Sequence, residues 1–147
     1  MKNVAKGRFF YERKVADHMT TKVVTLSPDS SLREAGELFD RFDFNSIPVV
    51  DGGKLIGIMS KFDFMRAFAF TPEHPLPDYE ALMKAPLREF MREELVTTTP
   101  DVPLTRVLQR MVELRTRSFP VVSGSKLVGI VSREDIIRSL KETTAGG

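Results

Sequence analysis

Cysteine is absent from the 147-residue chain, which excludes a disulfide framework and any thiolate metal centre. Histidine occurs only at His18 and His74, far apart and without a ligand-spaced partner, so no metal site is expected. No apolar run approaches the roughly 18 residues a membrane-spanning helix needs. The opening stretch carries Lys2, Lys6, Arg8, Arg13 and Lys14 and lacks the apolar centre of a signal peptide, so the expectation is a cytoplasmic protein without a membrane partner. Also missing are a glycine-rich Walker loop, a G-x-G-x-x-G turn and a serine paired with a histidine. Catalysis is therefore not expected, and a bound nucleotide would not meet the machinery that hydrolyses it.

Charge of one sign is likewise scarce. The 22 basic and 20 acidic residues leave a net +2, and their intermixing reads as solvated faces, which argues against a nucleic-acid footprint. Only the arm at residues 1–14 is lopsided, with five basic side chains against Glu12. It reads either as a solvated tail or as a contact to phosphates.

What is present is a duplication. Met19 to Arg66 aligns with Met91 to Arg138 without a gap at a constant offset of 72 residues. Val24-Thr25, Pro28-Asp29, Pro48-Val49-Val50, Lys54-Leu55, Gly57-Ile58, Ser60 and Asp63 recur as Val96-Thr97, Pro100-Asp101, Pro120-Val121-Val122, Lys126-Leu127, Gly129-Ile130, Ser132 and Asp135. Each copy opens on a β-rich stretch, Val23 to Leu26 or Leu95 to Thr98, which predicts a first strand. Ser27-Pro28-Asp29-Ser30 then supplies turn and cap chemistry. Leu32, Ala35, Leu38, Phe39 and Phe42 recur at helical spacing, as do Leu104, Val107, Leu108, Met111 and Val112, and are predicted as core helix faces.

Ile47 to Val50, a glycine turn and Leu55 to Met59 predict a hairpin, repeated at Phe119 to Val131. A closing helix begins after Ser60 or Ser132. The expected fold class is α/β in the broad sense (α+β), two βαββα repeats packed about a pseudo-two-fold axis, because one repeat alone would bury too little apolar surface. The expected boundaries are an N-terminal arm at 1–14, the first repeat at 15–70, a proline-rich linker at 71–85, the second repeat at 86–140 and a flexible tail at 141–147.

Two copies of h-P-V-V, G, K-L, h-G-I-h-S, x-x-D resemble a pair of CBS domains, the regulatory module named after cystathionine β-synthase. Lys14 to Met19 resembles the lead-in before the first strand in that family, and Pro86 to Met91 its second copy. The resemblance implies a stand-alone CBS pair with no required cofactor, in which AMP, ADP, ATP or S-adenosylmethionine acts as a regulatory, energy-sensing ligand in clefts between the repeats. It also implies frequent homodimerisation.

The resemblance implies site residues as well. Ser60-Lys61-Phe62-Asp63 and Ser132-Arg133-Glu134-Asp135 stand where a strand hands over to a helix. Free N–H groups at such a start can meet phosphate, and an acid in the first turn can accept both ribose hydroxyls. The alternative is a capping box, in which Ser and Asp satisfy each other's backbone. Ile47, Pro48, Phe119 and Pro120, with Val23 and Leu95, would wall an adenine pocket or simply be core. Each cleft would be shared, Asp63 with Arg117 and Asp135 with Asn45. Arg117 would then make the first the tighter phosphate site, unless it is a solvated charge beside Arg115. Lys61 and Arg133 would add positive charge at either helix start.

Gly57 and Gly129, inside predicted strands, mark a bulge or a close approach by another backbone or ligand. The apolar run Phe62 to Phe70 is expected to bury against the linker or a second subunit. Two functions from different classes follow: a sensor of an adenosine-type small molecule that signals to an unidentified protein effector, and a structural homodimerisation module with no physiological nucleotide. Nucleic-acid binding by the arm is a third.

Overall fold

The computed structural model describes residues 8–73 and 75–144. Lys2 and Lys6 of the basic arm, His74 and the last three residues of the tail lie outside the described residues. In chain order the elements are a 3-10 turn at Phe10–Glu12, α1 (Val15–His18), α2 (Leu32–Arg41), β1 (Ser46–Asp51), β2 (Lys54–Ser60) and α3 (Lys61–Phe68). After these come α4 (Tyr79–Lys84), a 3-10 turn at Leu87–Glu89, α5 (Leu104–Leu114), β3 (Ser118–Ser123), β4 (Lys126–Ser132) and α6 (Arg133–Thr144). The mixture of helix and antiparallel hairpin is the expected α+β class. No helix among the described residues is long and apolar enough to cross a membrane.

Packing divides the chain into two compact units, and the division is out of step with the sequence repeat. Val24–Leu95 forms a middle unit, whereas the described residues before Val24 join those from Val96 onward in a terminal unit. Each lead-in therefore packs with the body of the other copy. In the terminal unit, Val15 of α1 is fully buried with Leu104, Val107, Phe119, Val121 and Val131. In the middle unit its counterpart Leu87 is fully buried with Leu32, Ala35, Ile47, Val49 and Met59. Full burial of one such side chain contributes about 1.5–3 kcal/mol, so each lead-in is anchored by the core it crosses into.

Backbone bonds complete the exchange. Thr20 and Ile130 trade N–H donors at 2.8 and 2.9 Å, and Arg92 and Ile58 do so at 2.9 Å in both directions. That approach is possible because the neighbouring strand residue has no side chain. A Cβ built on Gly129 would stand 2.8 Å from the Met19 sulfur and 2.9 Å from the Thr20 carbonyl oxygen. A Cβ on Gly57 would meet the Met91 sulfur at 2.6 Å and the Arg92 carbonyl oxygen at 3.0 Å. Of the two roles expected of these glycines, close approach by another backbone is what the packing uses. A register slip accompanies it on the partner strand, between Val49 and Val50 and again between Val121 and Val122.

Several expectations are corrected. The first strand of each copy shrinks to a single parallel bridge, Leu26 to Val49 and Thr98 to Val121. Leu26 still donates to Pro48 and accepts from Val50 at 3.0 and 2.8 Å, but the turn residues that follow leave too little extended chain for a ladder. The cap of α2 is Ser31, in a capping box with Glu34, not the preceding Ser30. At α5 the cap position is Pro103, which has no side-chain acceptor. There the Leu104 N–H donates to the Arg13 carbonyl at 2.9 Å, as Leu32 donates to Ala85 at 3.0 Å.

Phe42 and Val112, expected in the core, are 39% and 69% exposed. Phe42 caps the end of α2 and stacks on Phe44 at 5.0 Å instead. The segment 71–85, proline-rich at its start, forms α4 from Tyr79, and the Tyr79 ring lies 6.1 Å from that of Phe68. The Phe62 to Phe70 run is thus buried on one side only, since Phe62, Met65 and Phe70 are more than half exposed.

A Cβ at Gly57 or Gly129 must push against backbone, so Gly57→Ala and Gly129→Ala are each expected to lose about 1–3 kcal/mol in urea unfolding. An unchanged midpoint in either would show that the lead-in strand can move aside.

Candidate functional site

Both S-x-x-D segments fold as capping boxes, for the reason that favours this spacing at any helix start. In the middle unit the Asp63 N–H donates to Ser60 Oγ at 3.0 Å, and the Ser60 N–H donates to Asp63 Oδ2 at 3.1 Å. In the terminal unit the Ser132 N–H and Oγ donate to Asp135 Oδ2 at 2.8 and 3.0 Å, and the Asp135 N–H reaches Ser132 Oγ at 3.3 Å. The first helical N–H is also occupied in each: Lys61 donates to the Asn45 carbonyl and Arg133 to the Arg117 carbonyl, both at 2.9 Å. Two of the donors that would meet a phosphate at the helix start are therefore engaged within the fold.

Capping uses one carboxylate oxygen and leaves the other. Asp63 is 1% exposed, and its Oδ1 accepts from Arg66 Nη2 at 2.9 Å and from Arg92 Nε at 3.3 Å. Asp135 is 4% exposed, and its Oδ1 accepts from Arg138 Nη1 at 3.1 Å. A buried carboxylate needs such partners, because an unpaired charge out of water is strongly destabilising. The arginines themselves are more than half exposed, so each ion pair sits at a surface with the acid inside.

The two sites differ by one guanidinium, because Arg92 has Thr20 as its counterpart. Arg66, Arg138 and Arg92 did not figure among the sequence candidates. The signal for the first two was available: Arg66 and Arg138 recur at the same offset, one helical turn after each acid. Arg92 had no such mark, since only the fold of the lead-in brings it to Asp63.

Beside Asp63 the middle unit holds a cavity of about 870 Å³, walled by Asp63, Arg66, Ala67, Ala85, Phe90 and Met91 among others. Its walls come from α3 of the first copy, the linker with α4, and the lead-in of the second, and they include the carboxylates of Asp78 and Glu89. The remaining candidates divide as follows. Ser60, Lys61, Ile47, Pro48 and Leu95 belong to the middle unit, and Val23, Arg117, Phe119, Pro120, Ser132 and Arg133 to the terminal unit. Ile47 and Phe119 are each 1% exposed inside the cores. The Pro48 and Pro120 carbonyls accept from Leu26 and Thr98 at 3.0 Å. Val23 and Leu95 are half-buried, Arg117 is exposed, and Arg133 Nε donates to the Thr116 carbonyl at 3.2 Å.

In the terminal unit a different network lies near Asp135. Arg13 Nη1 is 2.7 Å from Glu142 Oε1, 3.2 Å from the fully buried Ser139 Oγ and 3.3 Å from His18 Nε2. Burial holds His18 below the ordinary histidine value of 6.5, and Arg13 adds to the effect, against the opposing pull of Glu142, Asp17 and Asp135. Among the described residues no group of His, Asp and Glu is arranged to hold a metal.

The CBS domain family profile matches residues 15–70 and 87–142. The CBS domain-containing protein YhcV of Bacillus subtilis is 32% identical over 134 residues, 90% of this chain and 89% of that protein. The A-adding tRNA nucleotidyltransferase of Geobacter sulfurreducens is 32% identical over 126 residues, 86% of this chain, but the chain spans only 13% of that enzyme. Among solved structures, the CBS domain pair of protein MJ0100 in complex with 5′-methylthioadenosine and S-adenosyl-L-methionine is 29% identical. It matches with a TM-score of 0.68 over 86% of this chain and 94% of that one.

The lowered His18 value fixes the sign of one pH effect. The unfolded chain takes up the proton near pH 6.5 while the folded chain still excludes it, so stability is full above that value and declines as pH falls below it. Melting temperatures between pH 7.5 and 5 are expected to drop on the acid side, and His18→Gln to drop less. A slope that survives the substitution unchanged would assign the effect to other groups.

Proposed function

The chain belongs to the CBS domain family, and from that premise we propose that it is a regulatory module, not an enzyme. It binds an adenosine-containing small molecule and passes the bound state to a protein effector. The ligand class is AMP, ADP, ATP or S-adenosylmethionine, and the cytoplasm is where these ligands are met. The observation that carries the reading is the Asp63 carboxylate. It is buried and held in orientation by its cap, and its second oxygen faces half-exposed arginines beside a cavity of about 870 Å³, within the 300–1,000 Å³ range typical of small-molecule pockets. The adenosine ligands held by the MJ0100 pair support the same class.

The chemistry runs as an exchange of partners. A ribose donates its two hydroxyls to the carboxylate in place of one guanidinium, and the freed arginine turns to phosphate, for which a guanidinium makes strong charge-assisted hydrogen bonds. Arg92 is the group that moves, because its contact at 3.3 Å is longer than that of Arg66 at 2.9 Å. Ser60 and Lys61 serve the Asp63 site and Ser132 and Arg133 the Asp135 site, while Ile47, Pro48, Leu95, Phe119, Pro120 and Val23 are proposed for the adenine. Arg117 is assigned to phosphate. Ligand binding changes effector affinity by its free-energy difference between the two states.

A second reading, a homodimerisation module, is favoured by the exposed apolar side chains Phe62, Met65, Val112 and Ile137, at 58%, 62%, 69% and 56%.

Thermal and urea unfolding with AMP, ADP, ATP and S-adenosylmethionine separate the two. A true ligand at 100 times its dissociation constant adds roughly 2.7 kcal/mol, and Asp63→Ala is expected to abolish the gain. Arg92→Ala is expected to weaken AMP by about tenfold or more and adenosine far less, as loss of a charged hydrogen bond implies, and Arg117→Ala leaving AMP affinity unchanged would remove Arg117 from the phosphate assignment. If no ligand shifts the transition, the dimerisation reading stands in its place.

A further inference from the structure

Because the copies are related by a constant offset, the part of the middle-unit cavity wall that α3 and the residues 85–90 form can be compared with the same place in the terminal unit. Ala85, Ala67 and Phe90, which help to wall the cavity beside Asp63, correspond to Arg13, Ser139 and His18. Those three are the residues joined in the Arg13 network. Where the middle unit has two methyl groups and a ring around open space, the terminal unit has a guanidinium lying between a hydroxyl and an imidazole.

We propose that Arg13 is a resident occupant of the terminal unit's ligand pocket, so that the chain takes one adenosine-type ligand, at Asp63, and not two. This rests on the reading of Asp63 given above and adds which of two equivalent positions is open. Three observations agree. The Arg13 side chain is 16% exposed, so it lies inward and is not a solvated arm. Its partners are matched to a guanidinium: a carboxylate at 2.7 Å, the Oγ of fully buried Ser139 at 3.2 Å and the ring nitrogen of His18 at 3.3 Å.

The middle unit has lost that whole set, since Glu142 also has an apolar counterpart, Phe70. Position 85 supplies no cation there, and the carboxylates that wall the cavity are Asp63, Asp78 and Glu89. A ligand entering the terminal pocket would have to break the charge-assisted bonds of Arg13 and leave Ser139 without its partner, which disfavours it heavily. A ligand entering the middle pocket meets Ala67, Ala85 and Phe90, has Asp63, Arg66, Asp78 and Glu89 as its charged neighbours, and displaces no guanidinium lodged as Arg13 is. Burial lowers the His18 value, and the guanidinium held against the ring adds to that lowering.

Isothermal titration of the full chain with AMP and with S-adenosylmethionine tests this. The wild type is expected to bind one equivalent of at least one probe, and Asp63→Ala to bind none. Arg13→Ala, and the triple variant Arg13→Ala, His18→Phe, Ser139→Ala that reproduces the middle-unit wall, are expected to rise from one equivalent to two. Two equivalents in the wild type, or one equivalent retained by Asp63→Ala, overturns the occlusion while leaving the ligand class intact. A folded Arg13 variant that stays at one equivalent overturns it as well. Should these variants fail to fold, the wild-type and Asp63→Ala stoichiometries decide alone. Binding of neither probe by the wild type removes the adenosine reading itself, and the occlusion with it.

Discussion

The structure depends on two places where a strand has no side chain. Gly57 and Gly129 let the Arg92 and Thr20 backbones approach to hydrogen-bonding distance, and through them each lead-in is stitched to the body of the other copy. Were these positions alanine, a methyl group would stand inside the van der Waals shell of a carbonyl oxygen. Neither Val15 nor Leu87 could then reach its core without distortion of the strand. The duplicated sequence therefore does not fold as two independent beads. Each packing unit takes its lead-in from the opposite copy, and single-copy truncations would leave a core lacking one fully buried side chain.

That exchange also builds the site. Asp63 is placed by its own copy, through the cap on Ser60, but its surroundings are supplied by the lead-in of the other: Arg92 against the carboxylate, Phe90 and Met91 in the cavity wall. The same construction in the terminal unit draws on His18 and Arg13. Fold symmetry thus produces two positions of the same plan, and the residues at the lead-in decide their chemistry. One is an acid with two guanidinium partners and an adjoining cavity. The other is an acid with one guanidinium partner near a partly buried network of Arg13 and His18 with the buried Ser139.

Much of this was legible in the residues. The offset of 72, the hairpins, the helices and the two S-x-x-D starts could be read because each depends on local periodicity or on a spacing of three residues. The resemblance to CBS domains rested on motifs that the family comparison matches over 15–70 and 87–142. Less legible were features that need a second segment to exist. The first strands fell short because their pairing partner, β1 or β3, meets them at a single residue pair. Phe42 and Val112 share the spacing of the core face but emerge at its edge, where no opposing element covers them.

The sequence by itself determined that there are two copies, what each copy folds into and which acids stand in the first turn of the second helix of the middle unit and of the last helix of the terminal unit. These follow from side-chain period, turn chemistry and capping, which act over a few residues and are the same wherever the segment lies. Only the tertiary structure decided which lead-in joins which core, that Arg92 reaches Asp63, and that Arg13 lies inward on Ser139 and His18. The pairings of Arg92 with Asp63 and of Arg13 with Ser139 span 29 and 126 residues of chain. No local rule encodes them: they are selected by the burial of Val15 and Leu87 and by the two glycines that let a foreign strand come close.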